Sequence, residues 1–265
     1  MISTISNRIS AIRYAGILAV YALFMTMSCK YKDKESVVTP EPTAQYGSIT
    51  VKFANEAGGQ PIVMGSGSYT NAAGNTYNVD LLKYFVSHFT LIKSDNSEHN
   101  FANYKLIDAS DTSTCSFTLD SVANGSYKAV RFYIGVDSLK NHTLLNEGDL
   151  NPSNGMVWTW SSGYIFFKHE GRFVNDTGGN SDILYHYGLD AHLKTVDIPV
   201  SVFTVSADHK VLYLKFDLNT QYGTPNLISF SGGNNVHQSV ETRDRIWLAD
   251  MKANFSSAFT FDKVQ

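Results

Sequence analysis

The chain has 265 residues, 43% of them hydrophobic and 17% charged, with two cysteines and a formal net charge of −3. This faintly acidic balance carries no basic patch or arm and excludes the electrostatic footprint of a nucleic-acid binder. Two cysteines are too few for a disulfide framework, so an exported domain of this sequence has to rely on its core.

Arg8 and Arg13 form a positive n-region, and residues 15–28, AGILAVYALFMTMS, are apolar and small but too short to anchor as a membrane span. The run closes on Ser28 and Cys29, the pattern of a bacterial lipoprotein signal, with Thr26 where leucine is usual. The sequence predicts a signal peptide over 1–28 and lipid on Cys29; an ordinary cleaved signal followed by a chance cysteine is the competing reading. Residues 30–45, KYKDKESVVTPEPTAQ, are charged, proline-bearing and poor in large apolar groups. Such a segment buries too little surface to offset chain entropy, so 29–45 is predicted to be a lipidated cysteine and flexible tether. Its charge resembles the surface-export signals of some Gram-negative lipoproteins, which implies an outer-membrane lipoprotein on the periplasmic or cell-surface side.

Residues 46–265 are long enough for one large all-β domain. In SITVKF, Ile49, Val51 and Phe53 share a face; in YKAVRFYI, Val130, Phe132 and Ile134 do; in KVLYLKFD, Leu212, Leu214 and Phe216 do. This period of two marks strands with one buried side. YFVSHFTLI, YKLIDA, CSFTLD, ILYHYGL and KTVDIPVSVF are further strands, separated by turn signals such as NAAGN, KSDNSE, VANGS and NDTGGNSD. Together they predict an antiparallel β-sandwich. Two segments break the pattern. NVDLLKYF, 78–85, reads as a helical turn leading into a strand. SVETRDRIWLADMKANF places Trp247, Met251 and Phe255 four residues apart, with Leu248 beside them and Ser239 as a candidate cap, and predicts a short C-terminal helix. No internal repeat, coiled coil or second domain is visible.

The chain holds no G-x-S-x-G, no H-E-x-x-H and no G-x-G-x-x-G between strand and helix, and GSGSY at 65–69 lacks the lysine of a phosphate loop. Asp111, Asp120, Asp137 and Glu170 are scattered. The sequence therefore reads as a binding protein rather than an enzyme. Its soft and borderline donors are more informative. His99 and His209 sit in polar turns, His237 after GGNN in a loop, His88 in a strand, His142 in a loop after a strand, and His186 mid-strand between two tyrosines. Imidazole with thioether suits Cu(I) over a hard cation. If 156–160 is extended, Met156, Trp158 and Trp160 share one face, which reads as core from composition alone.

GVDSLKNH, GMVWTWSSGYIFFKHEG and YHYGL, with ITVKFANEAGGQPI, YTNAAGNTYNVDLLKYFVSHFTLI, YKLIDASD and NGSYKAVRFYIGVD before them, resemble the MbnP-like family of exported copper-binding proteins associated with methanobactin systems. The resemblance runs from about residue 47 to the C-terminus. It implies an antiparallel β fold, a Cu(I) site in which histidines bind, and a tryptophan oxidised to kynurenine by a dihaem MauG-like partner enzyme. His142 matches the histidine of the family's G-V-P…N-H segment and His186 the histidine of its H-x-G segment. Trp158 and Trp160 match its W-x-W pair, either of them the oxidised residue. Met156 matches the G-M of the lipoprotein branch and is a candidate soft ligand. This chain departs from the methanotroph members in lacking their disulfide cysteines and in Gly-Val-Asp for Gly-Val-Pro, and His88 and His169 have no counterpart. The resemblance implies a membrane-anchored Cu(I) protein for copper uptake or handling; the alternative is a surface lipoprotein with a structural, adhesive or glycan-binding role and no metal.

The anchor is directly testable. Cys29→Ala is expected to move the protein from the membrane fraction to the soluble one, and intact-mass analysis of the wild type is expected to show lipid on Cys29. A mutant that stays with membranes, beside a wild type that carries no lipid, contradicts the lipoprotein reading.

Overall fold

A computed structural model describes residues 45–143, 145–159, 162–239 and 242–265. The signal peptide, Cys29, the tether up to residue 44, and Trp160 lie outside the described residues. The long elements, in chain order, are β1 (Tyr46–Ala57), β2 (Leu81–Lys93), β3 (Tyr104–Asp108), β4 (Ser116–Ala123), β5 (Gly125–Ile134), helix α1 (Ser138–Asn141), β6 (Val157–Thr159), β7 (Gly163–Val174), β8 (Asn180–Gly188), β9 (Lys194–Val205), β10 (His209–Asp217), α2 (Leu218–Gln221), β11 (Val236–Gln238), α3 (Arg245–Ala258) and β12 (Phe259–Val264).

Two sheets form an all-β sandwich. The smaller runs β12–β10–β1, with β4 on the outer side of β1; the larger runs β9–β5–β2–β7–β8–β11, with β3 beside β2 and β6 beside β7. Most neighbours are antiparallel, but β1 pairs in parallel with β10, and β8 with β11. The alternation read from the sequence is the burial observed: Ile49, Val51, Val130, Phe132, Ile134, Leu212, Leu214 and Phe216 are fully buried and Phe53 nearly so.

Aromatic rings from both sheets interdigitate between them. Phe53 of β1 meets Phe132 of β5 edge-on at 5.8 Å, and Phe259 of β12 meets the same ring at 5.3 Å. Phe89 of β2 stacks on Phe132 at 5.7 Å, and Phe216 of β10 lies 4.7 Å from Phe259. Edge-on and offset contacts suit the ring quadrupoles, so these pairs add to the burial of large apolar area. Helix α3 covers the second layer: Trp247, Leu248, Met251 and Phe255 are buried, and Phe255 meets Phe167 at 5.5 Å. Among the described residues no helix is long and apolar enough to cross a membrane.

Two local expectations are corrected. Residues 78–80 form no helical turn. The amides of Asn78 and Asp80 donate to the carbonyls of Arg172 and Glu170, so they extend the β7 ladder and are not free for intrahelical bonds. Ser239 does not cap α3, which follows Asp244. Its buried hydroxyl instead accepts from the Gly188 amide at 2.8 Å and donates to the His186 carbonyl at 3.2 Å, tying down the end of β8.

Phe132 touches rings of both sheets, so Phe132→Ala is expected to cost about 3–5 kcal/mol in denaturant unfolding. A loss below about 1 kcal/mol contradicts the assignment of this ring to the centre of the core.

Candidate metal centre

The segment GVDSLKNH folds as a capped stop. Gly135 adopts φ +119, and a side chain there would run into the ring of Phe166. Asp137 caps α1, accepting from Leu139 N at 3.0 Å, and also accepts from the Tyr104 hydroxyl. The helix ends one turn later on His142. Beside it Asn141 is fully buried; its carboxamide accepts from Tyr164 N and donates to Asp190 Oδ1, both at 2.7 Å. The other oxygen of Asp190 meets His142 Nε2 at 2.9 Å. Burial pushes the Asp190 carboxyl up, but the bonds from Asn141 and His142 outweigh it and hold it below its ordinary range.

The second histidine sits on the outer face of the larger sheet. In β8 the odd-numbered side chains Ile183, Tyr185 and Tyr187 are buried, which leaves His186 and Gly188 on the opposite face. His186 Nε2 meets Glu170 Oε1 at 2.9 Å across the β7–β8 pair, and Lys168 Nζ lies 3.2 Å from the same oxygen. Burial drives the His186 pKa down further than Glu170 raises it, so the ring is neutral. Burial raises the Glu170 carboxyl, but His186 and Lys168 together hold it ionised, below its ordinary value. A carboxylate only accepts, so Nε2 carries the ring proton and Nδ1 presents its lone pair.

Trp158 joins the two histidine segments. Its ring lies on Gly188, where a β-carbon would stand 2.8 Å from Cζ3 and 2.7 Å from the Tyr164 carbonyl. Gly188 is two residues beyond His186 and two before Asp190, the partner of His142. Leu189, with φ 74, turns the chain between them. The Trp158 indole N–H is buried and meets no acceptor among the described residues. An unmade bond of this kind costs about 1–3 kcal/mol. The register of β6 slips between Val157 and Thr159, which interrupts the two-residue alternation in the described part of the run; Trp160 lies outside the described residues. Met156 is only 1% exposed and lies in the core.

The remaining histidines are placed elsewhere. His237 stands in β11, not in a loop, and bonds Asp244 at 2.8 Å. His209 is exposed and meets Ser48 Oγ at 2.8 Å; His99 stacks on Phe101 at 4.6 Å. His88 sits at φ 51 where β2 bulges, against Tyr104 and Tyr133. His169 is fully buried with Nδ1 2.6 Å from the Tyr222 hydroxyl. Sequence reasoning missed Asp190, Asn141 and Gly188 as parts of the site and saw Glu170 only as a scattered acid. The one local signal was the run GLD directly after YHY.

Among the described residues no group of three or more His, Cys, Asp and Glu converges as a metal cage. What the site offers is two imidazoles, each with Nε2 on a carboxylate and, among the described residues, no hydrogen bond at Nδ1. Ligating histidines are held in this way, with the second nitrogen on a carboxylate that fixes the tautomer and raises ring basicity. A donor set of so few borderline nitrogens fits Cu(I), which accepts low coordination, and does not fit Ca²⁺ or Mg²⁺, which need oxygen ligands.

Residues 46–238 match the model of the MbnP family. The fold is similar to that of MbnP from Methylosinus trichosporium, at 17% identity and a TM-score of 0.56, covering 83% of this chain and 98% of that one. No curated protein matches the chain.

Acid stability follows from His169. Burial pushes its pKa down to about 3. The unfolded chain takes up that proton near pH 6.5 and the folded chain does not, so stability is expected to fall as pH drops below about 6.5 towards 3, by at most about 4–5 kcal/mol from this group. Unfolding free energies measured across that range should lose part of their slope in His169→Gln. An unchanged slope contradicts a neutral His169 in the folded protein.

Proposed function

The chain belongs to the MbnP family, and on that premise we propose that it is a membrane-anchored extracytoplasmic Cu(I)-binding protein for copper uptake or handling, with His142 and His186 as ligands through Nδ1. The observation that carries this reading is the matched pair of contacts, His142 on Asp190 and His186 on Glu170, each at 2.9 Å from Nε2. Neither contact is needed by the sandwich, since both lie on its outer surface, and both prepare a ring for a soft metal. His142 is half exposed while the His186 side chain is 15% exposed. This suits a metal that enters from the His142 side and is held by the more enclosed ring. Met156 would have to leave the core to reach the ion, so the proposal rests on the two imidazoles.

Trp158 is the residue we propose for oxidation to kynurenine by a dihaem MauG-like partner. Its N–H is a donor only and cannot ligate as an intact indole. Opening the five-membered ring, with loss of its C2 carbon as formate, turns the indole N–H into an aniline NH2, one hydrogen of which can bond the new ketone beside it, and adds a nitrogen lone pair that the indole lacks. Trp160 is the other residue of the pair. Lipid on Cys29 would hold the domain at the outer membrane, with the tether setting its reach.

Competition against a chromophoric Cu(I) chelator under reductant is expected to give about one Cu(I) per chain. His186→Ala is expected to weaken binding by more than about tenfold and Glu170→Gln by about 10- to 100-fold. Equal affinity in the wild type and in the His142→Ala/His186→Ala double variant rejects the site and leaves the structural, adhesive or glycan-binding lipoprotein. Peptide mass spectrometry over residues 151–173 from the native host is expected to show one kynurenine; two intact tryptophans in copper-loaded protein reject the oxidation.

A further inference from the structure

The copper reading leaves a completely buried polar pair unused. His169 of β7 and Tyr222, at the end of α2, are both completely buried, with His169 Nδ1 and the Tyr222 hydroxyl 2.6 Å apart. They stand in a line of oxidisable rings. Tyr222 lies 5.7 Å from Tyr185, and Tyr185 lies 5.2 Å from Trp247, whose ring stacks on His237 at 4.8 Å near the protein surface. Leu227 and Ile246, both largely exposed, border the cavity of about 270 Å³ onto which Trp247 and His237 open. Rings this close exchange electrons readily.

The hydroxyl partners decide where an oxidising equivalent comes to rest. A phenol that loses an electron becomes a strong acid and is stable only if its proton has a base to go to. Tyr185 donates to the Asn234 carbonyl, Tyr187 to the His192 carbonyl and Tyr77 to the Asn219 carboxamide, none of which takes a proton. The Trp247 indole N–H has no acceptor among the described residues. Tyr222 alone among these rings has its hydroxyl on an imidazole nitrogen, to which it donates in the Nε2–H tautomer of His169. Burial keeps that imidazole neutral and so able to accept.

We propose that Tyr222 and His169 form a proton-coupled redox pair that stores one oxidising equivalent delivered through Trp247 and Tyr185. An outer-sphere one-electron oxidant takes an electron from Trp247; an electron from Tyr185 refills Trp247, and one from Tyr222 refills Tyr185. The Tyr222 O–H bond breaks as its proton moves to His169 Nδ1. The balance is one electron gained by the oxidant, a neutral phenoxyl radical at Tyr222 and an imidazolium at His169, and one-electron reduction reverses all of it. The pair is independent of copper and of His142 and His186.

Flash-quench oxidation of the purified full-length, copper-free protein with a soluble ruthenium polypyridyl, read by freeze-quench EPR and transient absorption, tests the pair. The wild type is expected to give a long-lived neutral tyrosyl signal that forms more slowly in D₂O. Tyr222→Phe is expected to lose it and Trp247→Phe to reduce its yield. An equal signal in Tyr222→Phe places the radical on surface tyrosines and overturns the proposal, and an unchanged yield in Trp247→Phe overturns the route. Should Tyr222→Phe lose its native circular dichroism, 3-fluorotyrosine at position 222 decides: fluorine hyperfine splitting supports the pair, and its absence overturns it.

Discussion

The contact of the Trp158 ring with Gly188 fixes the arrangement of the outer site. At Gly188 a β-carbon would occupy space already held by the indole and by the Tyr164 carbonyl. A glycine there lets β6 lie against the end of β8, and the same strand end carries His186 on one side and Asp190 on the other. The close approach is held from below by Ser239, which bonds the Gly188 amide and the His186 carbonyl. Three short sequence segments of the larger sheet are thereby fixed to one another by packing and two hydrogen bonds.

Electrostatics then gives the two histidines one chemical form. Glu170 and Asp190 are both held ionised by their neighbours, against the burial that raises them. Ionised carboxylates on Nε2 set the tautomer of a neutral ring and leave Nδ1 as its lone-pair nitrogen. For His186, burial adds a second effect by disfavouring the imidazolium that would compete with a metal. The cost is an enclosed, unpartnered indole N–H at Trp158, a local penalty of the kind that concentrates where chemistry is done.

The sandwich was legible because period-two burial is a property of each strand alone: Ile49, Val51 and Phe53 could be assigned without knowing their partners. The C-terminal helix was legible for the same reason, from Trp247, Met251 and Phe255. The failures are non-local. Asn78 and Asp80 are drawn into the ladder by Arg172 and Glu170, 94 and 90 residues along the chain, and Ser239 is claimed by β8 rather than by the helix that follows it. The candidate site was legible only in part, and only through family resemblance. His142 and His186 were named by their motifs. Their carboxylates, which give the rings their chemistry, lie 48 and 16 residues away and carry no local signal.

The central claim is that the two carboxylate-held imidazoles bind Cu(I) through Nδ1. Long-range ¹H–¹⁵N correlation of the histidine side chains, recorded before and after one equivalent of Cu(I), tests it most directly. The account predicts that His142 and His186 begin as Nε2–H tautomers and that their Nδ1 resonances alone move on metal addition. Unmoved resonances at both residues, or shifts confined to His88, His99 or His209, would contradict it.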